Sequence, residues 1–102
     1  MVSGMREKII ENQIKSKLTT MSNVWYFKHS ANATMKVGIP DLVCCINGYF
    51  IGIEVKQATG IQSEAQKVNE LAIKNAGGQY WLVFSFPDFL NKLEVFLNEK
   101  KK

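Results

Sequence analysis

Histidine, proline and cysteine are scarce in this 102-residue chain, which holds one His, two Pro and two Cys. One histidine and the adjacent Cys44 and Cys45 cannot assemble a zinc quartet. The two thiols fall in a segment that reads as a strand, where neighbouring side chains point to opposite faces, so they cannot readily bridge one another. Long apolar runs are missing too. The longest, Leu42 to Ile46 and Tyr49 to Ile53, cover about five residues, far short of the roughly 18 that a membrane helix requires. Met1 to Lys8 turns charged where a signal peptide turns apolar, and nothing resembles a transit sequence, which predicts a cytoplasmic chain.

What is present suffices for one domain, read here as residues 1–102. With 46% hydrophobic residues, a chain of this size buries roughly 60–70% of the surface its unfolded form exposes and needs no metal or disulfide to hold a core. Thirteen Lys and Arg against nine Asp and Glu leave a net charge of +4. That balance favours polyanions and makes nucleic acid a reasonable partner.

Ile10, Ile14, Leu18 and Met21 recur at steps of four, four and three, with Ile9 widening the stripe, which predicts an amphipathic helix over Met5 to Met21. Val24 to Phe27 reads as an aromatic strand, and Lys28 to Gly38 as an exposed loop. Asp41 to Ile46, the dipeptide Asn47-Gly48 and Tyr49 to Lys56 form a hairpin signature. Ser63-Glu64-Ala65-Gln66 fits a capping box that opens a helix with Val68, Leu71 and Ala72 on one face, ended by Gly77-Gly78. Gln79 to Phe84 reads as a strand, Ser85 to Pro87 as a turn, Asp88 to Asn98 as a helix, and Lys100 to Lys102 as a frayed tail. Trp25, Tyr26, Trp81, Phe84, Phe89 and Phe96 read as core. The hairpin strands are apolar on both faces, so helices should cover both sides of the sheet. A crossover through the Ser63 helix makes the last strand parallel to the Tyr49 strand. The fold class is therefore α/β, a small mixed sheet of about four strands flanked by helices, in the order α-β-β-β-α-β-α.

If Asn47-Gly48 is a two-residue turn, Ile46 opposes Tyr49 and, continuing down the ladder, Asp41 opposes Glu54. Like charges directly opposed about 5 Å apart destabilise a sheet. Lys56 emerges on the same face as Glu54 because the strand period is two. Two carboxylates and an ammonium at one point suit a hard divalent cation, which takes oxygen ligands alongside substrate phosphate. Such an ion polarises a phosphoryl oxygen and lowers the pKa of water, while a lysine orients that water or stabilises the pentavalent transition state. Phosphodiester hydrolysis is the matching reaction. The same residues also admit a plainer reading, a strand-end Asp beside a solvated Glu54–Lys56 ion pair worth at most about 1 kcal/mol.

Gly38-Ile39-Pro40-Asp41-Leu42, followed thirteen positions after Asp41 by Glu54-Val55-Lys56, resembles the PD-(D/E)XK nuclease signature. Val37 to Val43, Gly52 to Lys56, the Ser63 helix start and Ala76-Gly77-Gly78 together resemble the VRR-NUC family of virus-type replication-repair nucleases, over about Glu11 to Leu93. The resemblance implies a restriction-endonuclease-like core and an endodeoxyribonuclease dependent on Mg2+ or Mn2+. Asp41, Glu54 and the Val55 carbonyl would hold the metal, and Lys56 would serve the attacking water. The resemblance also implies a first-helix acid near the metal. Glu11, at the edge of the apolar stripe, matches best, with Glu7 as rival and a solvated Glu as the ordinary alternative. Gln66 reads as a helix cap, and by resemblance as a contact to the catalytic Lys or water; the two roles are compatible. Lys28, His29 and Lys36 are candidate contacts to the DNA backbone, or simply solvated cations.

No helix-turn-helix or zinc module is visible, and little surface remains for reading base sequence, which favours structure-selective cutting. Standalone chains similar to this one imply a homodimer acting on branched DNA, four-way (Holliday) junctions above all, in a bacterial or phage-infected cell. A flap nuclease is the nearest alternative, and a non-catalytic DNA-binding or assembly module on the same fold is the alternative of another kind. A sequence-specific restriction enzyme would need recognition insertions that 102 residues do not accommodate.

Overall fold

The computed structural model describes residues 2–30 and 37–100, with side chains from Met5 onward. The elements run α1 (Val2–Thr19), β1 (Val24–Lys28), β2 (Leu42–Ile46), β3 (Tyr49–Val55), α2 (Glu64–Asn75), β4 (Gln79–Val83) and α3 (Phe86–Glu99). They build one four-stranded sheet in the order β1-β2-β3-β4. The first three strands are antiparallel and β4 joins β3 in parallel. The expected mixed sheet flanked by helices is the fold found.

Local chemistry accounts for the joints. Asn47 and Gly48 both take positive φ, 52° and 86°, as a type I′ turn requires. This sets Ile46 against Tyr49 and Leu42 against Ile53. Ser63 and Gln66 form the reciprocal capping box at the start of α2. At its far end Gly77, at φ 95°, lets the amides of Gly78 and Gly77 return to the carbonyls of Ile73 and Lys74, a Schellman closure. Ser85 caps α3 through the Asp88 amide, so this helix begins at Phe86, two residues before the expected start.

One sheet face carries the core. Ile10, Ile14 and Leu18 of α1 and Phe89, Leu93 and Phe96 of α3 close on Leu42, Cys44, Ile46, Ile51, Ile53, Val55, Trp81 and Val83. Burying side chains of this kind contributes roughly 1.5–3 kcal/mol each. Ile9 stays exposed, so the apolar stripe of α1 is narrower than its spacing suggests. Cys44 points into this core and Cys45 away from it, both as free thiols.

The other face corrects several expectations. Trp25 is 62% exposed and Phe27 44%, so the β1 aromatics alternate between Tyr26, turned toward the core, and a tilted Trp25–Phe27 pair facing outward at 5.5 Å. The reason is coverage: α2 lies over β4 and the Gly52 region of β3 and leaves β1 open. In α2 itself Val68, Leu71 and Ala72 are exposed, while Asn69 is buried and Ala65, Gln66 and Ile73 turn inward. The helix is seated by close backbone approach. A Cβ on Gly38 would lie 2.5 Å from the Ala65 carbonyl of the helix, whereas one on Gly52 would meet Pro40 Cγ at 2.7 Å and the helix only at Ile73 Cδ1, 3.7 Å away. Lys100 is not frayed; it caps α3 with its ammonium 4.8 Å from the Tyr49 ring centre. Lys101 and Lys102 lie outside the described residues.

Candidate active site

The site lies where several chain segments reach one end of the sheet. Lys28 ends β1, Asp41 immediately precedes β2, Glu54 is the penultimate residue of β3 and Lys56 follows β3. The antiparallel order of the first three strands brings these positions to a common edge. The β2–β3 ladder runs to Leu42–Ile53, so the next rung sets Asp41 across from Glu54.

Each carboxylate has one oxygen spoken for and one turned elsewhere. Asp41 Oδ2 accepts from the Val55 amide at 2.8 Å, and Oδ1 lies 3.7 Å from Lys28 Nζ. Glu54 Oε2 accepts from Gln66 Nε2 at 2.8 Å and stands 3.9 Å from Lys56 Nζ. Glu54 Oε1 is buried with no hydrogen-bond partner among the described residues. Only 4% of Glu54 is exposed. Burial, and then the nearby Asp41 charge, push its carboxyl up to about 8, although Lys56 pulls the other way. An unpaired buried carboxylate is costly, and a carboxylate pair whose spare oxygens lie at one strand end matches the donor chemistry of Mg2+ or Mn2+. Among the described residues no three His, Cys, Asp or Glu side chains group closely enough to form a cation cage on their own. A Mg2+ ion commonly completes such a set with waters and substrate phosphate.

The first-helix acids divide the work. Glu11 Oε1 accepts from Lys28 Nζ at 2.9 Å, and its other oxygen is 3.7 Å from Lys15. Through Lys28, Glu11 is joined to Asp41. Glu7 accepts from the Gln57 amide at 3.3 Å, next to Lys56. Burial alone would lower the Lys28 pKa; the hydrogen bond to Glu11 and the Asp41 and Glu11 charges outweigh it and raise it. Lys28 therefore belongs to the acidic cluster and is not a free loop cation. The His29 amide donates to the Asp41 carbonyl, and its Nε2 is buried without a partner among the described residues, so that ring atom does not face solvent. Lys36 lies outside the described residues.

Gln66 reaches the site because its helix starts there. At the third position of α2, its Oε1 accepts from the Ser63 amide while its Nε2 holds Glu54, so its side-chain partner is Glu54 and not Lys56. Glu54 is buried near the strand end, and a neutral amide meets its carboxylate there without adding charge.

Sequence reasoning passed over a polar layer beside Glu54. Gln62 Nε2 donates to Glu70 at 3.0 Å and to Tyr80 Oη at 3.4 Å, and Asn69 donates to the Val37 carbonyl at 3.1 Å. Burial and then the Glu54 charge raise the Tyr80 phenol to about 12. The available signal is the period of β4. Tyr80 pairs with Gly52 and so shares the Glu54 face, but the parallel register is needed to see it. Gly52, two residues before Glu54, is likewise a positioning residue, since it leaves the space that Pro40 fills just before Asp41.

No protein-family model matches the chain, and no curated protein matches it. Solved structures do. One, a VRR_NUC domain, superposes with a TM-score of 0.74 at 20% identity, over 87% of this chain and 95% of the other. A second, a VRR_NUC domain protein, gives a TM-score of 0.67 at 16% identity, over 86% and 84%. The sheet order, the helices around it and these superpositions agree: the chain has the fold of a VRR_NUC domain.

Proposed function

We propose that this chain, as one domain over 1–102, is a VRR-NUC nuclease that hydrolyses phosphodiester bonds in branched DNA, four-way junctions first, with Mg2+ or Mn2+ and as a homodimer. The observation that carries the reading is the opposed Asp41 and Glu54 pair, with Lys56 beside Glu54 and a buried Glu54 oxygen without a hydrogen-bond partner among the described residues. Sequestered like charges are a liability for folding and an asset for cation-assisted catalysis. The fold shared with VRR_NUC domains and the net charge of +4 support DNA as substrate.

Asp41 Oδ1, Glu54 Oε1, the Val55 carbonyl and, at the rim, Glu11 would hold the ion. Bound there, it would supply Lewis-acid polarisation of the phosphoryl oxygen and a more acidic water. The protein groups do the rest. The Val55 amide and Gln66 fix the rotamers of the two acids, which keeps their free oxygens aimed. Lys56 donates to the attacking water or to a phosphoryl oxygen as the new P–O bond forms and the bond to the leaving sugar breaks, stabilising the added negative charge. Of the three basic residues singled out from the sequence, Lys36 remains the candidate contact to the phosphate backbone, by its charge alone.

The test is cleavage of labelled four-way junction, flap and linear duplex by the purified protein in Mg2+, Mn2+ or EDTA, beside Asp41→Asn and Lys56→Ala. Junction cutting that needs the metal and both residues supports the reading. Cutting that survives in both variants overturns the site. Salt-sensitive junction binding with no cutting under either metal replaces it with a binding module. Solution mass with and without junction tests the dimer.

A further inference from the structure

We propose that the Lys28 ammonium is a built-in competitor for the divalent ion: it serves as counter-cation for Asp41 and Glu11 in the metal-free protein, and the ion binds by displacing it. The proposal rests on the metal-dependent reading above and concerns what this chain's own lysine does toward that ion.

The geometry points this way atom by atom. Asp41 Oδ2 is committed to the Val55 amide, so Oδ1 is the oxygen left for a cation, and Lys28 Nζ stands 3.7 Å from it. The same ammonium is 2.9 Å from Glu11 Oε1. Lys28 thus bridges the rim acid to the central pair, a place where the two carboxylates would otherwise repel each other. An ammonium and a dication cannot share Asp41 Oδ1 at close range, because their repulsion is large in a partly desolvated cleft. Lys28 can leave at little cost. Its side chain is about one-third exposed (35%), as the last residue of an edge strand, and Glu11 keeps a second ammonium, Lys15, at 3.7 Å. Lys56 is different, since it lies on Glu54 Oε2, the oxygen already held by Gln66, and so does not compete for the free oxygens.

The experiment is Mn2+ titration by calorimetry without DNA, on wild type, Lys28→Gln, Lys28→Arg and Asp41→Asn, each checked for native circular dichroism. Removing the competitor makes Lys28→Gln bind Mn2+ roughly three- to tenfold more tightly than wild type. Lys28→Arg keeps the charge and gains nothing, and Asp41→Asn loses binding. As an independent readout, the lysine-ammonium NMR signal of Lys28, assigned by its absence in Lys28→Gln, moves toward that of a solvated lysine as Mg2+ saturates the site. If Lys28→Gln binds with equal or lower affinity while binding still depends on Asp41, the displacement idea is overturned and the nuclease reading stands. If no variant shows Asp41-dependent binding, the metal reading itself is overturned, and this inference goes with it.

Discussion

Gln66 grips two groups with one side-chain amide, donating from Nε2 to Glu54 Oε2 at 2.8 Å and accepting on Oε1 from the Ser63 main chain at 2.8 Å. The helix cap and the orientation of the buried acid are therefore one interaction. Gln66→Ala loses both and should cost about 1–2 kcal/mol in urea unfolding. Gln66→Glu keeps an acceptor for the Ser63 amide but sets a third carboxylate against Glu54, so its metal-free melting temperature should fall below that of wild type as pH rises from 6 to 8.

Glu54 makes the metal-free protein sensitive to pH. Its carboxyl titrates near 8 when folded, against an ordinary value of 4.5. Between these values the unfolded chain releases a proton that the folded chain keeps, so stability falls as pH climbs through the window and levels off above it. Glu70 and Asp88, both shifted down, act only below that window. Thermal melts in EDTA should show a loss of about 3–4 kcal/mol from pH 5 to pH 8. Glu54→Gln should abolish that slope and melt above wild type at pH 8, and saturating Mg2+ should stabilise wild type more at pH 8 than at pH 5.

Activity should separate from stability at this site. Asp41→Asn and Lys56→Ala should each reduce junction cleavage about a hundredfold or more while unfolding cooperatively. EDTA should silence wild type, and added Mn2+ should restore it.

Gly52 and Gly48 test the backbone in opposite ways. A methyl on Gly52 meets Pro40 Cγ at 2.7 Å and would push the residue beside Asp41, so Gly52→Ala should cost about 1–3 kcal/mol and lower activity as well. Gly48 has open space but φ of +86°. Gly48→Ala should cost about 1 kcal/mol through strain alone, with activity unchanged.

The two tryptophans should report their opposite settings. Trp81→Ala removes a ring packed on Phe89 and Phe96 and should cost about 3–5 kcal/mol. Trp25→Ala should cost less than about 1 kcal/mol, and iodide should quench only the Trp25 share of the fluorescence.

Much of the fold was legible because its signals are local. The Asn47-Gly48 turn, the Ser63–Gln66 box and the steps of four through Ile10, Ile14 and Leu18 each depend on residues within one turn of chain. The opposition of Asp41 and Glu54 was legible for the same reason, since a two-residue turn propagates its register down the hairpin. The inward face of α2 was not. Hydrophobicity pointed to Val68 and Leu71, whereas the inward side of the helix carries the buried Asn69, Gln66 on Glu54, and Ala65 in close approach to Gly38.

The sequence by itself determined the elements, the hairpin register and the two acids at one strand end, because backbone geometry transmits those choices over a few residues. Only the tertiary structure decided that Lys28 stands between Glu11 and Asp41, that Gln66 reaches Glu54 and that Trp25 faces outward. Those relationships join segments far apart in the chain, and they depend on how helices of finite length cover a sheet, which no local pattern encodes.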